Sequence, residues 1–285
     1  MKLIDQQIDI WGETPYNKDD AVLWIERAGR ICYRSEDKIV KGSGIKFVNN
    51  IWTRTHYSVL EHSNIVIRTK IKSKFPAKAL NLSKMVFDSP YFRFCIHGDQ
   101  IYISGNWRSW IEFFNKQYGV LLSIDDLPEA LNNDDYEVVV NPDEIPIELK
   151  VITAEFVTNR AVTHELVRHR PASYSQESQR YVRYTKDVSF IKPYWFDTVP
   201  DALKDEFTTY LSKAEEKYQF LLRVGLKAED ARDVLPNATA TKIVVSANIP
   251  EWEHIFNLRV SKAAWTPIRC LLKPVRDYFI ENKWL

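Results

Sequence analysis

The scarcity and placement of glycine restrict this chain more than any other feature. Only eight glycines occur in 285 residues, and none belongs to a GxGxxG or GxxxxGK[ST] run. Doubly wound dinucleotide-binding sheets and P-loop NTPases cradle phosphate in backbone nests built from such runs. Neither mode is open here, so a nucleotide would have to be met by side chains. At 285 residues with 45% hydrophobic content the chain can bury one large core, and a single α/β domain over 1–285 is expected.

The side chains suited to an anion are concentrated between Arg168 and Tyr181, where Arg168, His169, Arg170 and Arg180 alternate with Ser173, Ser175, Ser178, Gln176 and Gln179. Pro171 ends any helix arriving from the N-terminal side. Lys+Arg 39 against Asp+Glu 38 leaves a net charge of +1, too little for the general positive field that drives non-specific nucleic-acid binding. An anion site must therefore be local. Guanidinium forks match phosphate and carboxylate oxygens two hydrogen bonds at a time. A solvated basic loop is the plainer explanation, but the segment has no lysine and is interleaved with short or planar polar groups that suit the edge of a base or an isoalloxazine.

Apolar spacing predicts helices over Asp19 to Tyr33 and from Ile45 to Thr55, then a strand from Asn64 to Lys72. Residues 73–147 read as an elaboration: a β-rich stretch from Tyr91 to Ile103, a helix from Trp107 to Tyr118, and an acidic surface loop from Asp125 to Glu148. The loop is the expected mobile region, with an edge strand through Val138 to Val140. Further on, a strand over Glu148 to Val157 leads into a helix capped by Asn159 or Thr163 that stops near His169. A long amphipathic helix from Leu203 to Leu222 closes at Gly225 and is followed by a short helix over Lys227 to Leu235 and a strand over Thr239 to Ala247. Pro250 starts another helix, and a last one from about Lys262 is expected to kink or break at Pro267 and Pro274.

Several chemistries are disfavoured by spacing. His164-Glu165 lacks a histidine at the HExxH position, since Arg168 stands there and His169 falls one place later. His56 and His62 share no helical face, His97 reads as an ordinary surface or core histidine, and the three cysteines, Cys32, Cys95 and Cys270, form no CxxC pair. No metal site and no disulfide framework are expected, and the cysteines fit a reducing, cytoplasmic setting. No apolar run is long enough to span a membrane. Ser178 lacks a GxSxG context for a nucleophile. Arg232 and Arg259, each among apolar neighbours, are as compatible with a structural salt bridge as with a site.

Taken together, Arg168-His169-Arg170, seven residues and Ser178 resemble the RHRx7S motif of the flavin-dependent thymidylate synthases. His56 to His62 resembles their His-x-[Ser/Thr]-x-x-Glu-His segment, and Ser104-Gly105-Asn106, Arg232 before Val-Leu-Pro, and Asn257-Leu258-Arg259 fit as well. The resemblance spans roughly residues 15–275. It implies an α+β fold with a central, mostly antiparallel sheet flanked by helices, and a homotetramer whose active sites are shared between subunits. It also implies conversion of dUMP to dTMP with methylenetetrahydrofolate as carbon donor, FAD as cofactor and NADPH as reductant, without an enzyme nucleophile.

By the same resemblance Arg259 would stabilise the ionised uracil, Ser178 would orient dUMP, and His56 would lie near flavin and folate. Ser58, Glu61, Arg168, His169, Arg170, Gln176, Asn248 and His254 would contact the cofactor. Glu165, Arg168, Gln176, Glu177, Ser178, Gln179, Arg180, Arg232 and Arg259 would hold dUMP. The chain departs from the pattern in having Ser175-Gln176 where many members have Asn-Glu, Glu165 where some have Gln, and Ala263 where some have His.

Two other readings fit the same residues. One is a flavoprotein acting on another pyrimidine. The other is a nucleic-acid-binding module using Arg168, Arg170, Arg180 and Arg183 with interleaved Tyr174, Tyr181 and Tyr184.

Overall fold

A computed structural model describes residues 1–71, 89–119, 122–124, 126–132 and 136–285. In chain order the first elements are β1 (Lys2–Ile4), β2 (Gln7–Glu13), α1 (Lys18–Ile31), α2 (Ser43–Thr53) and β3 (Asn64–Lys70). There follow β4 (Arg93–His97), β5 (Gln100–Asn106), α3 (Trp107–Tyr118), α4 (Leu127–Leu131) and β6 (Glu137–Val139). The C-terminal half contributes β7 (Val151–Asn159), α5 (Arg160–Leu166), β8 (Ser173–Gln176), β9 (Ser189–Ile191) and α6 (Asp201–Arg223). It closes with α7 (Ala228–Ala231), β10 (Ala240–Asn248), α8 (Ile249–Arg259) and α9 (Thr266–Glu281).

The central sheet is antiparallel throughout, in the order β2-β7-β10-β8, and a second antiparallel sheet runs β4-β5-β3-β6. Strand β1 pairs in parallel with β9. The pleat gives the central sheet two distinct faces. Ile243, Val245 and Ala247 of β10 enter a core with Trp252 and Phe256 of α8 and Leu271 and Phe279 of α9. Val244, one residue out of phase, packs instead on Ala28 and Ile31 of α1. Trp252 is fully enclosed and donates its indole N–H to the Ile152 carbonyl at 3.0 Å, so its one polar atom is not stranded.

Three strands pass straight into helices by one local device. Asn106, Asn159 and Asn248 each end a strand and cap the following helix, accepting from the backbone N–H of Ser109, Val162 and Glu251 at 2.8, 2.8 and 2.9 Å. Such caps contribute about 1 kcal/mol each, and they fix the start of α3, α5 and α8 at a strand end. In β2 the register shifts between Ile10 and Gly12, and Gly12 has φ 95°, a conformation that would strain any residue with a Cβ. Gly105 serves closeness instead, because a Cβ there would stand 2.3 Å from the Phe92 ring.

The structure differs from the sequence expectations in identifiable ways. Ser173–Gln176, in the middle of the arginine-rich segment, is strand β8, which hydrogen-bonds to β10, rather than loop. Only four residues long and entirely polar, it carries no apolar alternation to read. Likewise Tyr57–His62 is a 3-10 helix. Among the described residues of 125–148, β6 is the expected edge strand, shifted one residue toward the N-terminus, while α4 and two 3-10 turns replace much of the expected loop. Asp125 and 133–135, and the region 72–88, lie outside the described residues. The last helix starts at Thr266, with Pro267 in its first turn where a missing N–H costs nothing, and it continues through Pro274. Among the described residues no helix is long and apolar enough to cross a membrane, and all three cysteines are free.

Candidate functional site

Helix α5 is short because Asn159 starts it and Pro171 follows soon after, and its last turn presents Glu165 toward the C-terminal end of α8. There Arg259 closes a polar cluster. Its Nη1 donates to Glu165 Oε2 at 2.6 Å, and its Nε donates to His169 Nε2 at 3.3 Å. That second bond requires Nε2 of His169 to be an acceptor, and the other ring nitrogen, 2.8 Å from the Leu166 carbonyl, carries the proton. Burial lowers the His169 pKa, the Leu166 carbonyl opposes it, and the Arg259 charge adds to the lowering. The imidazole is thereby held neutral as a hydrogen-bond acceptor beside the cation. The His254 ring stands edge-on to His169 with centroids 6.2 Å apart. Arg259 keeps 23% of its side chain exposed, so a buttressed guanidinium is left partly open.

A second group lies on the opposite, α1-facing side of the central sheet. A cleft of about 430 Å³ is lined by His56, Ser58, Gln176, Ser178 and Tyr181, together with Tyr33 and Arg108. His56 Nδ1 is 3.1 Å from the Tyr33 hydroxyl, and the Tyr33 and Tyr181 rings lie 5.3 Å apart. Ser178 donates its backbone N–H to the Cys32 carbonyl at 3.1 Å, while its hydroxyl accepts from Arg180 N at 3.2 Å. Among the described residues no hydrogen bond joins the Ser178 hydroxyl to a histidine, so the arrangement lacks a serine–base pair.

Beside the cleft, Arg180 covers the Tyr181 ring and donates to the Glu229 carboxylate at 3.0 Å. Arg232 donates to the Glu229 backbone carbonyl at 3.0 Å, which brings two exposed guanidiniums to one short helix. Arg160 stands close enough to lower its own pKa through Arg232, although burial is the larger cause.

Most of the other residues singled out by sequence, and the Gln176 side chain at the cleft, are held by contacts within the fold. Glu177 is buried, accepting from the Tyr184 hydroxyl at 2.8 Å with Arg34 3.7 Å away. Gln176 gives its amide to Thr163 and Thr241 at 3.0 and 3.3 Å, and Gln179 is half-buried. Asn248 has its carbonyl oxygen engaged in the α8 cap. Glu61 is buried and accepts from Arg108 at 2.8 Å; burial raises its pKa and Arg108 opposes the rise. Arg168 is exposed, whereas Arg170 turns back onto the Val167 and His169 carbonyls and covers the Tyr174 ring. These contacts undo the row of stacking tyrosines that a nucleic-acid module would use. Tyr174 spends its hydroxyl on the Leu166 and His169 carbonyls, Tyr184 is buried, and of the three only Tyr181 is exposed.

Sequence reasoning missed Cys32, Tyr33 and Arg108 in the cleft, and Glu251 near His254 and Arg93. Burial raises the Glu251 pKa, and its Oε1 has no hydrogen-bond partner among the described residues. No local pattern marks these residues, because each becomes a neighbour of the site only through the fold.

Comparison with known proteins agrees with this geometry. A family model described as "Thymidylate synthase complementing protein" matches residues 137–281, just over half of the chain. The chain is similar to the flavin-dependent thymidylate synthase of Geobacter sulfurreducens, 42% identical over 113 residues, covering 40% of this chain and 49% of that protein. It is also similar to those of Pyrococcus abyssi, 36% over 120 residues (39% and 46%), and Mycobacterium avium, 39% over 127 residues (40% and 50%). The chain thus spans about half the length of the curated relatives it matches. Arg259, Arg232 and the Arg168 to Arg180 segment all lie inside the matched region, and by that match the chain belongs to the thymidylate synthase complementing protein family.

Proposed function

We propose that this protein is a cytoplasmic, FAD-dependent thymidylate synthase that converts dUMP to dTMP, with methylenetetrahydrofolate as carbon donor and NADPH as reductant. The observation that carries the reading is Arg259 held by Glu165 and neutral His169 yet partly open. A guanidinium fixed in this way supplies positive charge where a uracil ring becomes anionic, without reorganising as the charge grows. Arg180 and Arg232 would take the dUMP phosphate, exchanging contacts to Glu229 for phosphate oxygens. Ser178 would orient the nucleotide, with Glu165, Arg168, Glu177 and Gln179 around it.

The cleft residues fit a flavin in chemistry. Tyr33 and Tyr181 offer flat aromatic walls, while His56, Ser58 and Arg108 offer polar atoms for the edge of a planar heterocycle. Its volume of about 430 Å³ lies within the usual range for small-ligand pockets. Bound FAD would supply the hydride, passing on electrons received from NADPH. The chain's own part is to position the rings, exclude water and hold charge, with Arg168, Arg170, His169, Gln176, Asn248, His254 and Glu61 as further cofactor-side residues.

The sheet itself supports a shared site. The Arg259 cluster belongs to the α5 and α8 side of the central sheet, whereas most of the His56 cleft comes from the α1 side, and we infer that a ligand meeting both would draw them from two chains. Assembly as a homotetramer, each site taking one face from each of two chains, would bring the halves together. Expression in a thymidine-requiring host tests the activity: growth without thymidine is expected. Purified protein should be yellow and should oxidise NADPH only when dUMP is present. A colourless preparation that does not bind added FAD would contradict the proposal.

A further inference from the structure

The edge of the second sheet brings together three donors that the proposed reaction does not use. Cys95 and His97 are two apart on β4, so the pleat puts both on one face of the strand. Glu148 reaches the same place from the 3-10 turn Ile147–Leu149, just before β7 begins. Packing fixes that approach: Leu149 is buried, and Cys95 packs against the cluster of Leu149, Tyr102, Val66 and Tyr16. The sulfur, one imidazole nitrogen and one carboxylate oxygen all lie within 4.8 Å of one another. His97 Nε2 is 3.3 Å from Glu148 Oε1, which matches the edge of about 3.3 Å for a tetrahedron with 2.0–2.1 Å metal–ligand bonds.

We propose that Cys95, His97 and Glu148 form a zinc(II) site with three protein ligands and a fourth position left to water. The donor set argues for the metal. Thiolate and imidazole suit a borderline-soft ion and disfavour magnesium or calcium, which take oxygen shells. Half-exposed His97 and Glu148 leave room for entry from solvent, while the half-buried Cys95 anchors the floor. On binding, the Cys95 thiol loses its proton to solvent as the zinc–sulfur bond forms, with no change in oxidation state.

Zinc would tie the edge of one sheet to the segment that enters the other. That segment also adjoins the start of α8, where Ile249 donates its backbone N–H to the Lys150 carbonyl at 3.2 Å. The metal would therefore brace the elaboration against the helix that ends in Arg259. An ordinary His97–Glu148 ion pair is the simpler account of two of the three contacts, but it gives the thiol no part.

Cobalt(II) and zinc(II) titrations distinguish the two. Full-length protein, reduced and stripped with chelator, should take up one equivalent of cobalt with a thiolate-to-cobalt charge-transfer band, and zinc should displace it. Cys95→Ser should abolish that band, and the Cys95→Ser, His97→Ala and Glu148→Gln changes should each weaken zinc binding at least about tenfold. Cys270→Ser should leave both readouts unchanged. Circular dichroism checks that the variants fold. No stoichiometric uptake, or a charge-transfer band that persists in Cys95→Ser, would overturn the site and leave the ion pair alone.

Discussion

The two faces of the central sheet each carry a neutral histidine, and they use it differently. On the α1 face His62 is fully buried, its Nδ1 2.8 Å from Ser246 Oγ and its Nε2 2.9 Å from Ser175 Oγ. The chain continues through Thr153, 2.7 Å from Ser246 and 3.3 Å from the Trp24 indole nitrogen. Both ring nitrogens are spent on hydroxyls, one donating and one accepting, and burial lowers the pKa to about 3. On the other face His169 is also neutral, but its partner is the Arg259 guanidinium, which stays partly open. A buried polar group whose valences are all met inside the protein specifies packing. One that holds a cation at the edge of solvent leaves that charge within reach of a ligand.

The largest effect expected on this comparison comes from Arg259→Ala, which should lower turnover about 100- to 1,000-fold while leaving the melting temperature and flavin binding near wild type. Near-normal turnover would remove Arg259 from the catalytic role. His62→Ala should do the reverse. By removing the His62 partner of the buried Ser175 and Ser246 hydroxyls, of which Ser246 keeps Thr153, and opening a cavity, it should cost about 3 kcal/mol in denaturant unfolding, with activity per folded molecule retained. Loss of activity without loss of stability would place His62 in the site after all.

Acid should expose the same contrast more gently. The unfolded imidazole takes its proton near 6.5 and the folded one only near about 3, so protons favour the unfolded chain. The His62 contribution is fully present above about 6.5 and fades as pH falls toward about 3, at up to about 1.4 kcal/mol per pH unit. A His62→Asn variant should show a shallower dependence over that window; an unchanged slope would reject the assignment. The smallest effect is expected of Ser178→Ala, less than about tenfold in turnover, because an orienting hydrogen bond is worth only about 1 kcal/mol. Complete loss with intact dUMP binding would reopen a nucleophilic role.

Where the fold was legible in the sequence, the signal was periodic. The spacing of α1 and α6 follows from one apolar face each, and α3 begins and ends at the residues its pattern indicates. Ser175 and Gln176 of β8 bond to His62 on one side and Thr163 on the other, so internal hydrogen bonding displaced the alternation that would have marked the strand. At position 175 the departure from the family pattern has a physical sense: serine is short enough to sit buried and hold His62. Arg259 and Arg232 were visible as arginines among apolar neighbours, but Glu229, Tyr33 and Glu251 were not, since their roles depend on contacts across long stretches of chain. Cys95, His97 and Glu148 escaped for the same reason: one donor stands 51 residues from another and no standard spacing links them.

The claim that the two faces are halves of one site is tested most directly by mixing two variants, each crippled alone. Arg259→Ala damages one face, and Arg180→Ala, beside Tyr181 at the cleft, damages the other. Chains of both kinds, unfolded together and refolded as mixed assemblies, should recover up to about a quarter of wild-type dTMP formation, because about one site in four would draw both intact halves from different chains. Mixed assemblies confirmed by mass that form no more dTMP than the separate variants would contradict a site shared between the two faces.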